Sequence, residues 1–158
     1  MATGAERFAA ATADLGLRPV RMPDSTHTAA AAAAAVGCEV GAIVKSLVFV
    51  ALDGDERTPL LALVAGDRRA DLELLAEAVG LPVEKADAKT VKAATGYSIG
   101  GVPPIGHPSP VRTLVDDSLL RFGEVWAAAG DAQSVFPADP ERLIEWTGGR
   151  VARIATPG

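Results

Sequence analysis

Lys45 stands inside the apolar run Ile43-Val44-Lys45-Ser46-Leu47-Val48-Phe49-Val50. Strand side chains alternate between faces, so Ile43, Lys45, Leu47 and Phe49 share one face and Val44, Ser46, Val48 and Val50 the other. Both faces are apolar, which predicts a strand covered on both sides. A lysine there either snorkels to solvent or lines a cavity. In a cavity it would offer a cation to a phosphate, a carboxylate or a polarised carbonyl. Ser46 is adjacent but points to the opposite face, so the two do not form a Ser–Lys pair.

The second candidate is the loop Gly100-Gly101-Val102-Pro103-Pro104-Ile105-Gly106-His107-Pro108-Ser109-Pro110. Its eleven residues include four prolines and three glycines. Gly100 and Gly101 let a ligand approach the backbone and can turn N–H groups toward an oxygen. Pro103 and Pro104 remove two donors and stiffen the chain. Gly96-Tyr97-Ser98-Ile99-Gly100 matches the G-x-S-x-G of serine hydrolases, but that elbow needs a strand before it, a helix after it and a later acid and histidine. Here a helix precedes it, a proline-rich loop follows, and His107 lies nine residues on with no acid between. His27 reads as a polar residue near a helix cap, His107 as a surface residue and Cys38 as a small packed one. Asp131, after Gly130, could orient an amine or hydroxyl. Arg68-Arg69 and the trio Lys85, Lys89 and Lys92 read as solvated charges, or as a local landing site for RNA phosphates.

The elements that must position these residues follow from periodicity and punctuation. A helix over 5–16 ends at Gly16, and a short strand over Arg18–Met22 stops at Pro23. Asp24-Ser25-Thr26-His27-Thr28 offers N-caps for the alanine helix that Gly37 closes. Residues 43–64 read as a hairpin turning at Asp53-Gly54-Asp55-Glu56. Helices are expected over Asp71–Val79, Asp87–Ala94 and Pro140–Thr147, and strands over Val111–Val115, Glu124–Ala128 and Val151–Ile154. The irregular interleaving and the hairpin predict a single α+β domain over residues 1–158 with a mixed sheet.

Composition narrows the function. The 158 residues are 49% hydrophobic and 22% charged, with net charge −5. That is enough chain for one domain with a real core. The acidic balance argues against a protein that coats nucleic acid and leaves room only for a local basic site. No apolar run approaches a membrane span, and no secretion signal opens the chain. One cysteine and two histidines provide no disulfide, no multi-cysteine metal site and little material for zinc. A reducing cytoplasm is the expected setting. Arginine outnumbers lysine 11 to 4 and asparagine is absent, which looks like the coding bias of a GC-rich genome.

The strand lysine followed by Ser46, and the G-x-x-x-P loop from Gly100 to Pro104 some fifty residues on, together resemble the YbaK/EbsC family. These are free-standing aminoacyl-tRNA deacylases related to the editing insertion domain of bacterial prolyl-tRNA synthetase. The resemblance spans about residues 5–155. It implies a compact domain with a mixed, partly barrel-like sheet flanked by helices. It implies trans-editing: hydrolysis of the ester joining a wrong, small amino acid (Ala, Ser, Thr or Cys) to the tRNA 3′ end, without metal or cofactor. By carry-over Lys45 is the essential lysine, Gly100 and Gly101 meet the aminoacyl carbonyl, and Val102, Pro103 and Pro104 shape the pocket. His27, Ser46, Gly130 and Asp131 complete the expected binding set. Some members use an aspartate and an N-terminal tyrosine; Asp131 does not align securely with the former, and the single tyrosine, Tyr97, lies elsewhere. The expected partners are the 3′ end of aminoacyl-tRNA and a synthetase that presents it, with neither DNA nor a membrane. Ser46 and the stiff loop suggest Ala, Ser or Thr as the amino acid. A non-catalytic module binding aminoacyl-adenosine, the tRNA 3′ end or a synthetase would use the same residues.

Overall fold

Residues 2–158 are described by a computed structural model. The longest strand, β2 (Ile43–Asp53), pairs antiparallel with β3 (Glu56–Ala65) from Val44 opposite Ala65 to Asp53 opposite Glu56. Gly54, at φ 62°, takes the first central position of the turn, where two-residue hairpins favour positive φ. The expected hairpin is therefore present and longer than the apolar run alone suggested.

Around it lie β1 (Val20–Arg21), β5 (Val83–Lys85), β6 (Arg112–Asp116), β7 (Val125–Ala128), β8 (Ser134–Ala138) and β9 (Arg150–Ala152). The hydrogen-bonded order is β1-β8-β7-β2-β3-β6-β9, with β5 joined to β2 as well. Pairs β2–β7, β3–β6 and β6–β9 are parallel and the rest antiparallel, so the sheet is mixed. A separate ribbon pairs β4 (Arg68–Ala70) with β10 (Ala155–Pro157).

Alternation along the hairpin divides the core as its sequence requires. Val44, Val48, Leu61, Leu63 and Ala65 pack with Phe8, Val91, Tyr97, Val102, Phe136 and Leu143. Phe49, Leu60, Ala62 and Val64 pack on the other face with Leu75, Leu114 and Ile154. Each buried leucine contributes about 1.5–3 kcal/mol.

The α-helices of the described residues are α1 (Gly4–Ala11), α2 (Ala29–Val36), α3 (Leu72–Val79), α4 (Ala88–Thr95) and α5 (Pro140–Thr147). Side-chain caps start them: Thr28 accepts from the Ala31 N–H, Asp71 from Glu73 and Leu74, Asp87 from Thr90 and Asp139 from Glu141. No helix among the described residues is long and apolar enough to cross a membrane.

Several expectations are corrected. The first helix stops at Ala11, because Thr12 leaves the helical region at φ −115° and ψ 16° while its N–H and hydroxyl both bond the Phe8 carbonyl, and a 3-10 turn follows over Ala13–Leu15. The strand expected over Arg18–Met22 shrinks to Val20–Arg21. The strand expected over Val151–Ile154 ends at Ala152 as β9, and a further strand, β10, follows it in a different sheet.

Candidate functional site: a cleft at the open edge of β2

The side of β2 away from β3 is covered at its two ends only. Ile43 and Val44 pair with β7, and Phe49, Val50 and Ala51 pair with β5. Between them Lys45, Ser46, Leu47 and Val48 have no partner strand on that side, apart from a 3.3 Å bond from the Ala86 N–H to the Val48 carbonyl. A cleft of about 1140 Å³ opens there. Both faces of β2 line it, and so do α2, β4, the Gly100 loop and the start of the α2 connection at Thr26–Thr28. The volume suits a ligand of nucleoside size with a substituent.

Lys45 is half-buried on the face shared with Leu47 and Phe49, and its ammonium donates to the Arg68 carbonyl in β4. Burial lowers its pKa below the ordinary lysine value and the nearby Arg69 lowers it further, while Asp67 pulls it back up. Asp67 is itself clamped by Arg121, whose two terminal nitrogens donate to the two carboxylate oxygens at 3.0 and 2.8 Å. Ser46 points the other way, and its buried hydroxyl has no hydrogen-bond partner among the described residues.

The Gly100 loop is tied down from behind. The Thr95 hydroxyl bonds Val91 and Tyr97 carbonyls, the Tyr97 hydroxyl donates to the Gly106 carbonyl at 2.9 Å, and His107 Nε2 donates to the Pro103 carbonyl at 2.8 Å. That contact fixes the Nε2–H tautomer of His107, whose pKa burial lowers against the opposing pull of the Pro103 carbonyl. Val102, Pro103, Pro104 and Ile105 are buried. Gly100 needs its φ of +95°, and a Cβ there would lie 3.3 Å from the His27 Cβ. Gly101 rests on the backbone of Asp131, which a Cβ would approach to 2.6 Å.

Of the sequence candidates, Lys45, Ser46, His27, Gly100 and Val102 line the cleft together. Gly101, Pro103, Pro104, Gly130 and Asp131 stand behind that wall. Gly101 donates its N–H to the Ser98 carbonyl at 3.0 Å, while Gly100 lines the cleft. Gly130 abuts Gly4 backbone to backbone, where a Cβ would sit 2.3 Å from the Gly4 oxygen. Asp131 caps its own turn through the Gln133 N–H at 2.9 Å and meets Arg21 at 3.3 Å. Burial raises its carboxyl pKa, but these bonds together with Ser134 leave it below the ordinary value. Lys45 and the loop approach the cleft from opposite faces of β2, because Ser46, not Lys45, shares the face of Val44 and Val48. Ser98 is exposed, and the His107 ring is engaged with Pro103, so the serine-hydrolase pairing does not form. Trp126 was not singled out in the sequence; it lines the cleft from β7, opposite Ile43. No local pattern marks it, since its place follows from a parallel pairing between distant strands.

Fold and cleft together define a small α+β domain with a nucleoside-sized binding site at a break in its sheet. The profile of the aminoacyl-tRNA editing domain family matches residues 23–146, and the chain belongs to that family. It is 32% identical over 130 residues to EbsC of Enterococcus faecalis, covering 82% of this chain and 77% of that one; EbsC is described as a candidate Cys-tRNA(Pro)/Cys-tRNA(Cys) deacylase. A proline–tRNA ligase of Pelotomaculum thermopropionicum is 33% identical over 120 residues, 75% of this chain but 19% of the ligase. A solved structure described as a candidate trans-editing enzyme for prolyl tRNA synthetase superposes with TM-score 0.89 at 43% identity, covering 99% of both chains.

Proposed function

We propose that this aminoacyl-tRNA deacylase acts in trans, hydrolysing the ester between a small amino acid (Ala, Ser, Thr or Cys) and the 3′-terminal ribose of a mischarged tRNA. The observation that carries the reading is the uncovered stretch Lys45–Val48, where a cation, a buried free hydroxyl and a glycine loop line one cleft. Water adds to the ester carbonyl, negative charge grows on the carbonyl oxygen, and the ribose oxygen leaves with a proton. Lys45 supplies the cation and Gly100 the backbone donor for that growing charge. Among the described residues no carboxylate side chain lines the cleft, so the proton passes to solvent or to the neighbouring ribose hydroxyl, and most of the acceleration is positioning of an already activated ester. Val102 and its buried prolines set the loop's shape. His27 flanks Gly100, Asp131 buttresses Gly101, and Gly130 seats the neighbouring backbone against Gly4. The resemblance to a segment of a proline–tRNA ligase supports tRNA-Pro as the acceptor and a synthetase as the presenting partner.

The test is a deacylation panel: tRNA-Pro and each cognate tRNA charged with Ala, Ser, Thr, Cys and Pro. Lys45→Ala is expected to lower kcat/KM by about 100-fold or more while the protein stays folded. Near-normal turnover by this variant would remove Lys45 from the mechanism. A folded wild-type protein that binds but hydrolyses none of these esters would be a non-catalytic binding module.

A further inference from the structure

The cleft has a sign opposite to that of the protein. The chain carries 20 Asp and Glu against 15 Lys and Arg, yet among the described residues the cleft is lined by Lys45, Arg68, Arg69 and Lys85 and by no acidic side chain. The acidic neighbours in sequence are already engaged: Asp67 with Arg121 at 2.8 Å, and Glu84 with Arg57 at 2.6 Å. Arg69 and Lys85 are exposed and make no ion pair among the described residues. Arg68 lies 3.8 Å from Asp67.

Their placement is ordered. Lys85 is the register partner of Phe49, which shares the face of Lys45 four residues away, a separation of about 13 Å along the strand. Arg68 and Arg69 lie on β4, whose Arg68 carbonyl meets the Lys45 ammonium. Cations therefore flank both ends of the uncovered edge, with Lys45 at the β4 end. The basic trio of the sequence is split by the fold. Lys92 donates to the Gly96 carbonyl at the end of its own helix, and Lys89 lines a separate depression with Pro59 and Ala93. Only Lys85 of the three faces the cleft.

We infer that Arg69 and Lys85, supported by Arg68, form a two-ended grip for the backbone phosphates of a single-stranded RNA 3′ end, holding it along the open edge of β2. The inference rests on the proposed substrate and adds the groups that bind its phosphates, separately from those that meet its ester. A local grip of this kind lets a protein of net charge −5 hold RNA, because each phosphate contact releases counterions.

The probe is an acceptor-stem RNA hairpin with an uncharged single-stranded 3′ end, titrated by fluorescence anisotropy from low salt upward, with inorganic phosphate as competitor. Each single-strand phosphate contact contributes about −0.7 to the slope of log K against log[salt], so three contacts give about −2. Arg69→Gln and Lys85→Gln should each flatten the slope by about 0.7 and weaken binding about fivefold at 0.1 M salt, whatever the base sequence. Lys89→Gln should change neither. Unchanged slopes in both cleft variants, an equal loss in Lys89→Gln, or no RNA binding at low salt would overturn the inference. Displacement of the RNA by millimolar phosphate would also overturn it, identifying a site for the free anion instead. Binding is read without hydrolysis, so a protein that grips RNA but cleaves no ester would sink the proposed activity and leave this inference standing.

Discussion

Replacing Gly101 by alanine tests whether the loop owes its position to the segment it rests on. The new Cβ would lie 2.6 Å from the Asp131 Cα, 2.8 Å from its carbonyl carbon and 3.0 Å from its nitrogen. Non-bonded carbons rest at about 3.5–4.0 Å, so the loop and residues 130–132 must part by about 1 Å. The obstacle is backbone, which no side-chain rotation relieves. Overpacking of this kind costs about 1–3 kcal/mol. At about 2–4 °C per kcal/mol for a domain of this size, the Tm should fall by about 2–12 °C. Activity should fall further in proportion, because a displacement of about 1 Å at a positioning element can cost about 100-fold in rate. Calorimetry and the deacylation assay on the same preparation read both effects. Gly123→Ala is the control, since nothing lies within 4 Å of its Cβ position; its stability should change by no more than about 0.5 kcal/mol. A Gly101→Ala protein with wild-type Tm and wild-type kcat/KM would refute the reasoning.

Two further outcomes follow from groups near the cleft. The Ser46 hydroxyl is buried without a partner among the described residues, a state that costs about 1–3 kcal/mol, so Ser46→Ala should raise Tm by at least about 2 °C. The same change should lower kcat/KM by about tenfold if the hydroxyl bonds the substrate; a destabilised variant would show that the hydroxyl is satisfied in the folded protein. His107 is the pH-dependent element. Burial lowers its pKa below 6.5, so the unfolded chain binds the proton more readily, and stability is lost as pH falls from about 6.5 toward the folded value. Between pH 7 and 5.5 the Tm of wild type should therefore fall more than that of His107→Gln, whose amide can still donate to the Pro103 carbonyl; parallel Tm–pH curves would contradict this.

The hairpin and four of the five described helices were legible because their signals are local. Alternation fixed the two faces of β2, and Thr28, Asp71, Asp87 and Asp139 marked helix starts that the structure keeps. The missed strands, β4, β5, β8 and β10, have three to five residues each, too few for a period of two to stand out. Pro137 hid β8 further. It is tolerated because β1 pairs only with Ser134 and Val135, so no strand on that side needs an N–H from residue 137. For the site, the parity of Lys45 and the rigidity of the Gly100 loop were readable. The gap opposite Lys45 was not, since it exists only because β5 and β7 reach β2 from distant parts of the chain and stop short of each other.

That gap reconciles two demands on Lys45. Its stem lies among apolar residues, where burial and Arg69 both work against the charge. A strand paired along its whole length would complete the burial and favour the neutral amine. Leaving four residues of β2 uncovered keeps the ammonium within reach of water and ligand, and the β3–β4 turn adds Asp67, which raises its proton affinity. The Arg121 clamp holds that carboxylate beside the cleft instead of in it, so among the described residues no acidic side chain lines the cleft. The cations Lys45, Arg68, Arg69 and Lys85 thus line the cleft with no acidic side chain among the described residues to compete with them for an anionic ligand.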